Sequence, residues 1–369
     1  MGRLFIKLAI NDVAMIDIKL NLGSLQEPYP GVANVLIPLW RMTTYARELE
    51  RMGVSISFEK GLDALTLRAK ARYAVIGKAI GLITRMIQNP SLDRISDAVR
   101  EAKTSMMISR EDTTVRSVAE ALRILFKEHP YSRHPTAYDY RFDEITINEV
   151  KNSLDNLGVL SMTIVAPEDV VDVDLPTVNY TRVIPREFGD GSEDIKLEGK
   201  VQTTVVIAYP TYDVMDLEAS FRMSVLNTVL GGMGLISRLY QEVRVKRGLA
   251  YYAYSMYWAL GSSGVLIAMA GVRREVLKEA TDIMLNTMSN FSITTDELGM
   301  AVRNRVGRLK VMKESPEGIA SLYSIIPTYG LPGDYYDRYV KYISGLRPED
   351  ISNEVKNLMR LRPTIVSVG

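Results

Sequence analysis

An arginine and a tyrosine, Arg244 and Tyr251, are the two side chains of this sequence whose types and spacing best suit chemistry. Apolar residues at helical spacing precede Arg244, Gly248 is expected to end that helix, and an aromatic-rich strand follows. Both side chains could then converge above the connecting loop, where a guanidinium and a phenol would suit a substrate carbonyl or an oxyanion. Arginine near a helix C-terminus and tyrosine in a strand also occur for structural reasons alone, so the pair by itself favours a structural role.

A glycine cluster, Gly231, Gly232 and Gly234, lies before this pair and is a weaker candidate for contact with substrate. It could also be read as a phosphate-binding loop. The cluster lacks the G-K-[ST] ending and the preceding strand that such a loop requires, so this second interpretation is poorly supported.

Composition narrows the classes of function. The chain is 47% hydrophobic and 24% charged, with a net charge of +1, which is typical of a globular protein and offers no basic excess for nucleic acid. The absence of cysteine excludes disulfides, thiolate catalysis and cysteine-bound zinc. The N-terminal stretch does not resemble a secretory signal, and no apolar run is long enough for a membrane span, so a cytoplasmic location is expected.

The order of predicted elements occurs twice along the chain. The pentapeptide NEVKN occurs at Asn148–Asn152 and again at Asn353–Asn357, and each copy precedes a predicted strand that contains TIV. Gly53 and Gly248 occupy equivalent places, each between a helix and a hairpin. The sequence therefore predicts a tandem duplication.

The predicted fold class is α+β, with two homologous domains that each pack helices on a mixed, mainly antiparallel sheet. The expected boundaries are an N-terminal repeat at 1–186, a polar linker at 187–200 and a C-terminal repeat at 201–369. Two long helical regions are predicted next to the hairpins. One spans 32–49 and is interrupted at Pro38, and the other spans 217–244.

The stretch Gly231–Tyr251 also resembles a known signature. Its pattern, G-G-x-G-x-x-S-R-L-Y-Q-E-V-R-x-K-R-G-L-A-Y, is similar to the C-terminal half of the insulinase/pitrilysin family of zinc metallopeptidases, which includes the mitochondrial processing peptidase. The resemblance implies the two-repeat, clamshell-like fold of that family. It also implies that Arg244 and Tyr251 contact the substrate or the reacting carbonyl beside a metal.

The zinc-binding half of the family's site is missing. The family places two histidines and a glutamate on an inverted H-x-x-E-H helix, and the aligned stretch here puts Asn34 and Pro38 at the histidine positions and Ile37 at the position of the base. The third ligand falls near Ser105 or Met106, and neither is a carboxylate. The resemblance therefore implies no metal in this chain.

The two histidines of the chain, His129 and His134, lie in the segment HPYSRHP. The flanking prolines indicate a loop, so the two imidazoles would not share a helical face. A metal site built on them is possible, but ordinary structural or surface roles are expected, because a catalytic zinc usually takes three protein ligands.

The resemblance implies a non-catalytic, alpha-type subunit of a heterodimeric zinc endopeptidase. Zinc is then expected in a homologous partner subunit, to which this chain donates Arg244 and Tyr251 in trans, with unfolded or short peptides as substrates. An alternative is a structural scaffold derived from a peptidase, like the core subunits of the respiratory cytochrome complex. A third possibility, hydrolysis by the isolated chain through an unrecognised metal, has the least support.

Overall fold

The structure is a computed structural model that describes residues 2–8, 12–168, 170 and 174–369. The first half contains, in chain order, β1 (Arg3–Lys7), β2 (Val13–Leu20), α1 (Val32–Arg41), α2 (Thr44–Arg51), β3 (Ser55–Lys60), β4 (Leu65–Arg72), α3 (Tyr73–Gln88), α4 (Ile95–Glu111), α5 (Thr113–Phe126), α6 (Ile147–Asp155) and β5 (Val159–Ala166). The second half contains β6 (Gly191–Ile195), β7 (Thr203–Thr211), α7 (Leu217–Asn227), β8 (Ala250–Ala259), β9 (Gly264–Val272), α8 (Leu277–Ser289), α9 (Thr295–Met312), α10 (Pro316–Tyr323), α11 (Ile325–Tyr329), α12 (Tyr335–Ser344), α13 (Pro348–Leu358) and β10 (Thr364–Val368).

The strands form two five-stranded sheets of the same topology. Their orders are β1-β5-β2-β4-β3 and β6-β10-β7-β9-β8. Strand β1 pairs parallel with β5 in one sheet, and β6 pairs parallel with β10 in the other. The remaining neighbours in both sheets are antiparallel. The two NEVKN segments lie in α6 and α13, which lead into β5 and β10. The predicted α+β fold with two helix-packed, mainly antiparallel sheets is confirmed.

Alternate residues of β2 contribute to the hydrophobic core between the first sheet and its helices. Ile16, Ile18 and Leu20 of β2 are fully buried on one face and belong to the cluster that includes the apolar sides of α1 and α3. Trp40, at the end of α1, is also fully buried, and its indole nitrogen donates a hydrogen bond to the Ile87 carbonyl oxygen at 3.1 Å. This packing fixes helix α1, which carries Asn34, Ile37 and Pro38.

The chain folds into two compact units that do not follow the sequence repeats. The unit with the first sheet comprises 1–108, 135–181 and 310–333, and the other comprises 109–134, 182–309 and 334–369. Helix α5 therefore belongs with the second sheet, where the Ser117 hydroxyl donates to the Thr204 carbonyl oxygen at 3.2 Å. Helices α10 and α11 belong with the first sheet, where the hydroxyls of Ser161 and Thr328 are 2.6 Å apart. Each repeat thus contributes helices to the unit that contains the other sheet.

The predicted linker at 187–200 is not wholly irregular, because it contains strand β6. Its polar sequence obscured a strand that lies at the sheet edge and pairs with β10 on one side only. Asp194 of β6 is ion-paired with Arg274 and accepts a hydrogen bond from the Ser367 hydroxyl. In the described part of the chain, no helix has the combination of length and apolarity needed to cross a bilayer.

Candidate functional site

Helix α1 carries Asn34, Ile37 and Pro38, which the resemblance places at the metal-binding positions of the family. It begins after Gly31, whose φ of 90° is left-handed, and it continues through Pro38 to Arg41. The predicted interruption at Pro38 is therefore wrong. A proline removes only the hydrogen bond to the carbonyl of Asn34, and the helix ends within one turn, before Thr43 caps α2 by accepting from the Ala46 amide at 3.1 Å.

The side chain of Asn34 points at a buried ammonium group. The Lys60 Nζ atom donates to the Asn34 amide oxygen at 2.8 Å and to the two carboxylate oxygens of Glu27 at 2.9 and 2.8 Å. The Tyr140 hydroxyl lies 3.2 Å away, and the Nζ atom is 4.5 Å from the centre of the Tyr140 ring. The Lys60 and Glu27 side chains are 2% and 0% exposed. Burial raises the pKa of Tyr140, although the Lys60 charge opposes that shift, so the phenol stays protonated at neutral pH.

These residues do not fit a zinc ion. A catalytic zinc needs three lone-pair donors such as imidazole or carboxylate, but Ile37 and Pro38 offer no side-chain donor, and a cation already faces Asn34. Ser105 lies exposed on α4, and the half-buried Met106 packs against the apolar core. Among the described residues, no group of three His, Cys, Asp or Glu side chains could hold a metal.

His129 has a structural role. Its Nδ1 atom accepts a hydrogen bond from the Tyr131 amide at 3.1 Å, and its Nε2 atom donates to the Val183 carbonyl oxygen at 2.6 Å. The ring is 8% exposed and therefore buried, and both nitrogens are engaged within the fold. His134, which is half-buried, does not form a three-residue metal group with it or with other described residues.

The glycine cluster breaks the helix that was predicted over 217–244. Helix α7 ends at Asn227, and a π-helical turn (Thr228–Gly232), a 3₁₀ turn (Gly234–Ile236) and a second π-helical turn (Tyr240–Val245) follow. A Cβ atom on Gly231 would lie 2.0 Å from the Ser255 backbone nitrogen, and Gly234 has a left-handed φ of 65°. Close packing and an unusual backbone explain these two glycines without a substrate. The requirement is weaker at Gly232, where a Cβ atom would lie 3.2 Å from the Asn227 carbonyl oxygen and the neighbour would have to shift by a few tenths of an ångström.

Arg244 lies in the second π-helical turn and is exposed. Its guanidinium carbon is 5.0 Å from the centre of the Tyr240 ring, a cation–π distance. The guanidinium has no hydrogen bond or ion pair within the described residues. Single-turn π-helical segments are rare and occur frequently at functional sites. The group can therefore offer its donors to a molecule outside the fold.

Tyr251 is the extra residue of a β-bulge at the start of β8. Ala250 pairs with Val272 and Tyr252 with Gly271, so Tyr251 has no partner across the sheet, and its side chain is 56% exposed. Bulges commonly redirect a side chain in this way. Within the described chain, its hydroxyl makes no hydrogen bond, and neither a hydrogen bond nor a ring contact joins it to Arg244. The convergence of the two groups on a substrate stays a prediction.

Tyr252, the next residue, is fixed by contrast. Its hydroxyl lies 2.9 Å from the hydroxyls of both Thr114 and Thr204. The Tyr252 hydroxyl is therefore bonded within the fold, whereas the Tyr251 hydroxyl makes no hydrogen bond within the described residues.

A cleft of about 590 Å³ lies beside the second π-helical turn. Arg238 lines it and binds both carboxylate oxygens of Glu297 at 2.9 and 2.8 Å. Burial works to raise the pKa of Glu297, but the hydrogen bonds from Arg238 and the Thr294 amide hold it below its ordinary value. On the same wall, hydrogen bonds from Lys246 and Arg247 lower the pKa of Glu242. These cations are paired internally, unlike Arg244.

Comparison with known proteins relates the chain to the M16 peptidases. Residues 169–304 match the family described as the Peptidase M16 inactive domain. The predicted resemblance to the insulinase/pitrilysin (M16) peptidases is confirmed. An uncharacterized zinc protease of Streptomyces coelicolor is 31% identical over 172 residues, which are 46% of this chain and 37% of that protein. This chain thus covers less than half the length of that relative.

Solved structures show the same fold over the whole chain. The peptidase M16 inactive domain from Pseudomonas fluorescens superposes with a TM-score of 0.85 at 20% identity, covering 100% of this chain and 95% of that one. A chain of Complex III2 from Candida albicans gives a TM-score of 0.80 at 10% identity, with 100% and 93% coverage. At such identities the likeness concerns the fold alone.

Lys60, Glu27 and Tyr140 were not predicted as site residues from the sequence. One signal was available for Lys60. It follows Ile56 and Phe58 at a spacing of two along β3, so it shares the inward phase of the strand with apolar residues, where a charge is unusual. Glu27 and Tyr140 lie outside the regular elements that periodicity can detect.

Proposed function

We propose that this protein is the non-catalytic subunit of a heterodimeric zinc endopeptidase. A zinc-bearing M16 homologue would hold the metal and the catalytic base, and this chain would help to enclose unfolded or short peptides. Arg244 and Tyr251 would act in trans, by donating hydrogen bonds to the peptide or to the oxyanion that forms at the partner's zinc. The cytoplasm is the compartment in which we expect this complex.

One observation carries the proposal. Arg244 and Tyr251 are both exposed, and within the described residues neither polar group makes a hydrogen bond or an ion pair, although the Arg244 guanidinium contacts the Tyr240 ring. A pair retained to stabilise the helix-to-hairpin connection would be expected to use its polar atoms internally, as Tyr252 does. The family signature is therefore present where its donors are accessible, whereas the positions of the zinc ligands hold side chains that do not fit the metal.

The test is peptide hydrolysis by the complex reconstituted from this chain and a zinc-bearing homologue. We expect the Arg244→Lys, Tyr251→Phe double variant to fold and assemble normally, because neither change removes an internal hydrogen bond. Turnover should fall on the order of a hundredfold to a thousandfold, the loss typical of a missing oxyanion donor. Lysine lacks the guanidinium fork, and phenylalanine keeps the ring without the hydroxyl.

Tyr252→Phe is the matched control, since it removes a neighbouring hydroxyl that the fold uses. It should lower stability and leave turnover per assembled complex unchanged. Full turnover by the assembled double variant would exclude the catalytic role. A rise in KM with unchanged kcat would instead assign the pair to substrate binding.

A scaffold without a role in hydrolysis is the second candidate. The fold match to a chain of Complex III2 favours it, because that chain is part of a named assembly. Affinity capture from native lysate separates the candidates. Recovery of an H-x-x-E-H homologue of similar length supports the peptidase subunit, and recovery of membrane redox subunits supports the scaffold. Stoichiometric zinc and peptidase activity in the purified chain alone would contradict both.

A further inference from the structure

The buried group at the former metal position has the arrangement of a cation site. Around the Lys60 Nζ atom, Glu27 supplies two oxygens, and Asn34 and Tyr140 supply one each, all between 2.8 and 3.2 Å. The three residues come from the loop after β2, from helix α1 and from the segment before α6. The oxygens therefore surround the nitrogen from separate parts of the first unit.

The positive charge of Lys60 is balanced within the chain by the carboxylate of Glu27. A buried ammonium is tolerated only when it is paired and hydrogen-bonded, and here the Glu27 carboxylate neutralises it. The Asn34 amide is oriented for this purpose, because its nitrogen donates to the Pro135 carbonyl oxygen at 2.9 Å and leaves its oxygen directed at Lys60.

We propose that Lys60 is a built-in cation that takes the place of a metal ion at the degenerate M16 site. Asn34 stands at the position of the first zinc-binding histidine, and the atom that its side chain contacts is the Lys60 ammonium nitrogen rather than a metal. The ammonium both holds this corner of the fold together and excludes divalent cations by repulsion at close range. This inference concerns the isolated chain and does not depend on a partner or on peptide hydrolysis.

Chemical rescue of Lys60→Ala tests the proposal directly. The substitution removes the atoms of n-propylammonium, and it should lower the melting temperature by about 10 °C because Glu27 is left buried and unpaired. Added n-propylammonium at about 100 mM should restore roughly half of that loss by binding the vacated site. Tetramethylammonium, which has the same charge but no N–H donor, is the matched salt and should not restore it.

The rescue must depend on Glu27. In the Lys60→Ala, Glu27→Gln double variant, we expect no specific effect of n-propylammonium. Equal effects of both ammonium salts, or a rescue that survives in the double variant, would overturn the proposal. If Lys60→Ala does not fold, Lys60→Met keeps most of the apolar stem, and its melting temperature should still fall by several degrees. An unchanged melting temperature in that variant would also overturn the proposal.

A zinc titration tests the exclusion of metal. The variant with Asn34→His, Ile37→Glu and Pro38→His, and with Lys60 retained, should take up no zinc by calorimetry. Adding Lys60→Ala to it should raise zinc affinity at least about a hundredfold, because the fixed positive charge is removed and the Glu27 carboxylate becomes available. Equal zinc affinity with and without Lys60 would show that the ammonium does not occupy the metal position.

Discussion

Each repeat has a region between a helix and a hairpin. The two regions differ in whether their polar side chains are buried and paired. Before β3, the left-handed Gly53 ends a helical region in which Asn34 contacts the buried ion pair of Lys60 and Glu27, the group called the closed site below. Before β8, the left-handed Gly248 follows a π-helical turn, and Arg244 in that turn and Tyr251 after it are exposed and make no hydrogen bond or ion pair within the described residues. The same topology thus holds one buried group whose charges are paired and, before β8, two exposed side chains that make no hydrogen bond or ion pair within the described residues.

The difference between the buried and the exposed group bears on the proposed role of a subunit without its own zinc. A site released from metal binding is expected to bury apolar groups or to pair its charges, because unpaired buried polar atoms are destabilising. In the first region, the charges of Lys60 and Glu27 are buried and paired. Exposed donors that make no hydrogen bond or ion pair within the described residues, as in the second region, fit the proposed use in an interaction.

The largest effect is expected from breaking the closed site. Glu27→Gln leaves the Lys60 ammonium buried without a counter-charge, and removing one partner of a buried pair costs about 3 to 5 kcal/mol of unfolding free energy. Urea denaturation measures this loss. Glu50→Gln, an exposed change on α2, is the control and should stay within about 0.5 kcal/mol of the parent. Similar midpoints for the two variants would show that the closed site contributes little stability.

The next effect concerns the glycine cluster. Gly231→Ala places a methyl group 2.0 Å from the Ser255 backbone nitrogen, so the π-helical turn must move away from β8. Overpacking of this kind destabilises by about 1 to 3 kcal/mol. Gly307→Ala has open space in the middle of α9 and should instead stabilise by roughly 0.5 to 1 kcal/mol. If Gly231→Ala leaves stability unchanged but impairs peptide binding by the complex, the result would support a role for this glycine in contact with substrate.

Much of the fold was predictable from the sequence, because hydrophobic periodicity and the repeated NEVKN segment depend on local pattern. The positions of α5, α10 and α11 were not predictable, since nothing in a helix's own sequence states which sheet it covers. Strand β6 was missed because an edge strand needs few apolar residues. For the site, a motif could identify Arg244 and Tyr251, but it could not reveal that Tyr251 lies in a bulge or that Lys60 faces Asn34.

A smaller effect distinguishes the two adjacent tyrosines. Tyr252→Phe removes a hydroxyl bonded to Thr114 and Thr204 and should cost about 1 kcal/mol of unfolding free energy. Tyr251→Phe removes a hydroxyl that the fold does not use and should change stability by less than about 0.5 kcal/mol. Parallel urea titrations of the isolated chain measure both. Equal losses would mean that Tyr251 has an internal role, which would weaken the contrast between the closed and the open region.

The smallest effect concerns the ion pair between Arg238 and Glu297 in the cleft beside the second π-helical turn. Because the folded pKa of Glu297 lies below its ordinary value of 4.5, the ion pair with Arg238 adds stability that is fully present above about pH 4.5. That stability is lost as the pH falls through the lowered folded pKa. The contribution should be below about 1 kcal/mol, as expected for a partly exposed pair. Glu297→Gln should therefore reduce stability at pH 7 and flatten its decrease below pH 4.5, as measured by urea midpoints over a pH series.

Arg244→Lys should leave the pH profile of the parent unchanged, because Arg244 has no carboxylate partner among the described residues. A profile flattened by Arg244→Lys would reveal an internal ion pair and would remove the main support for its action in trans.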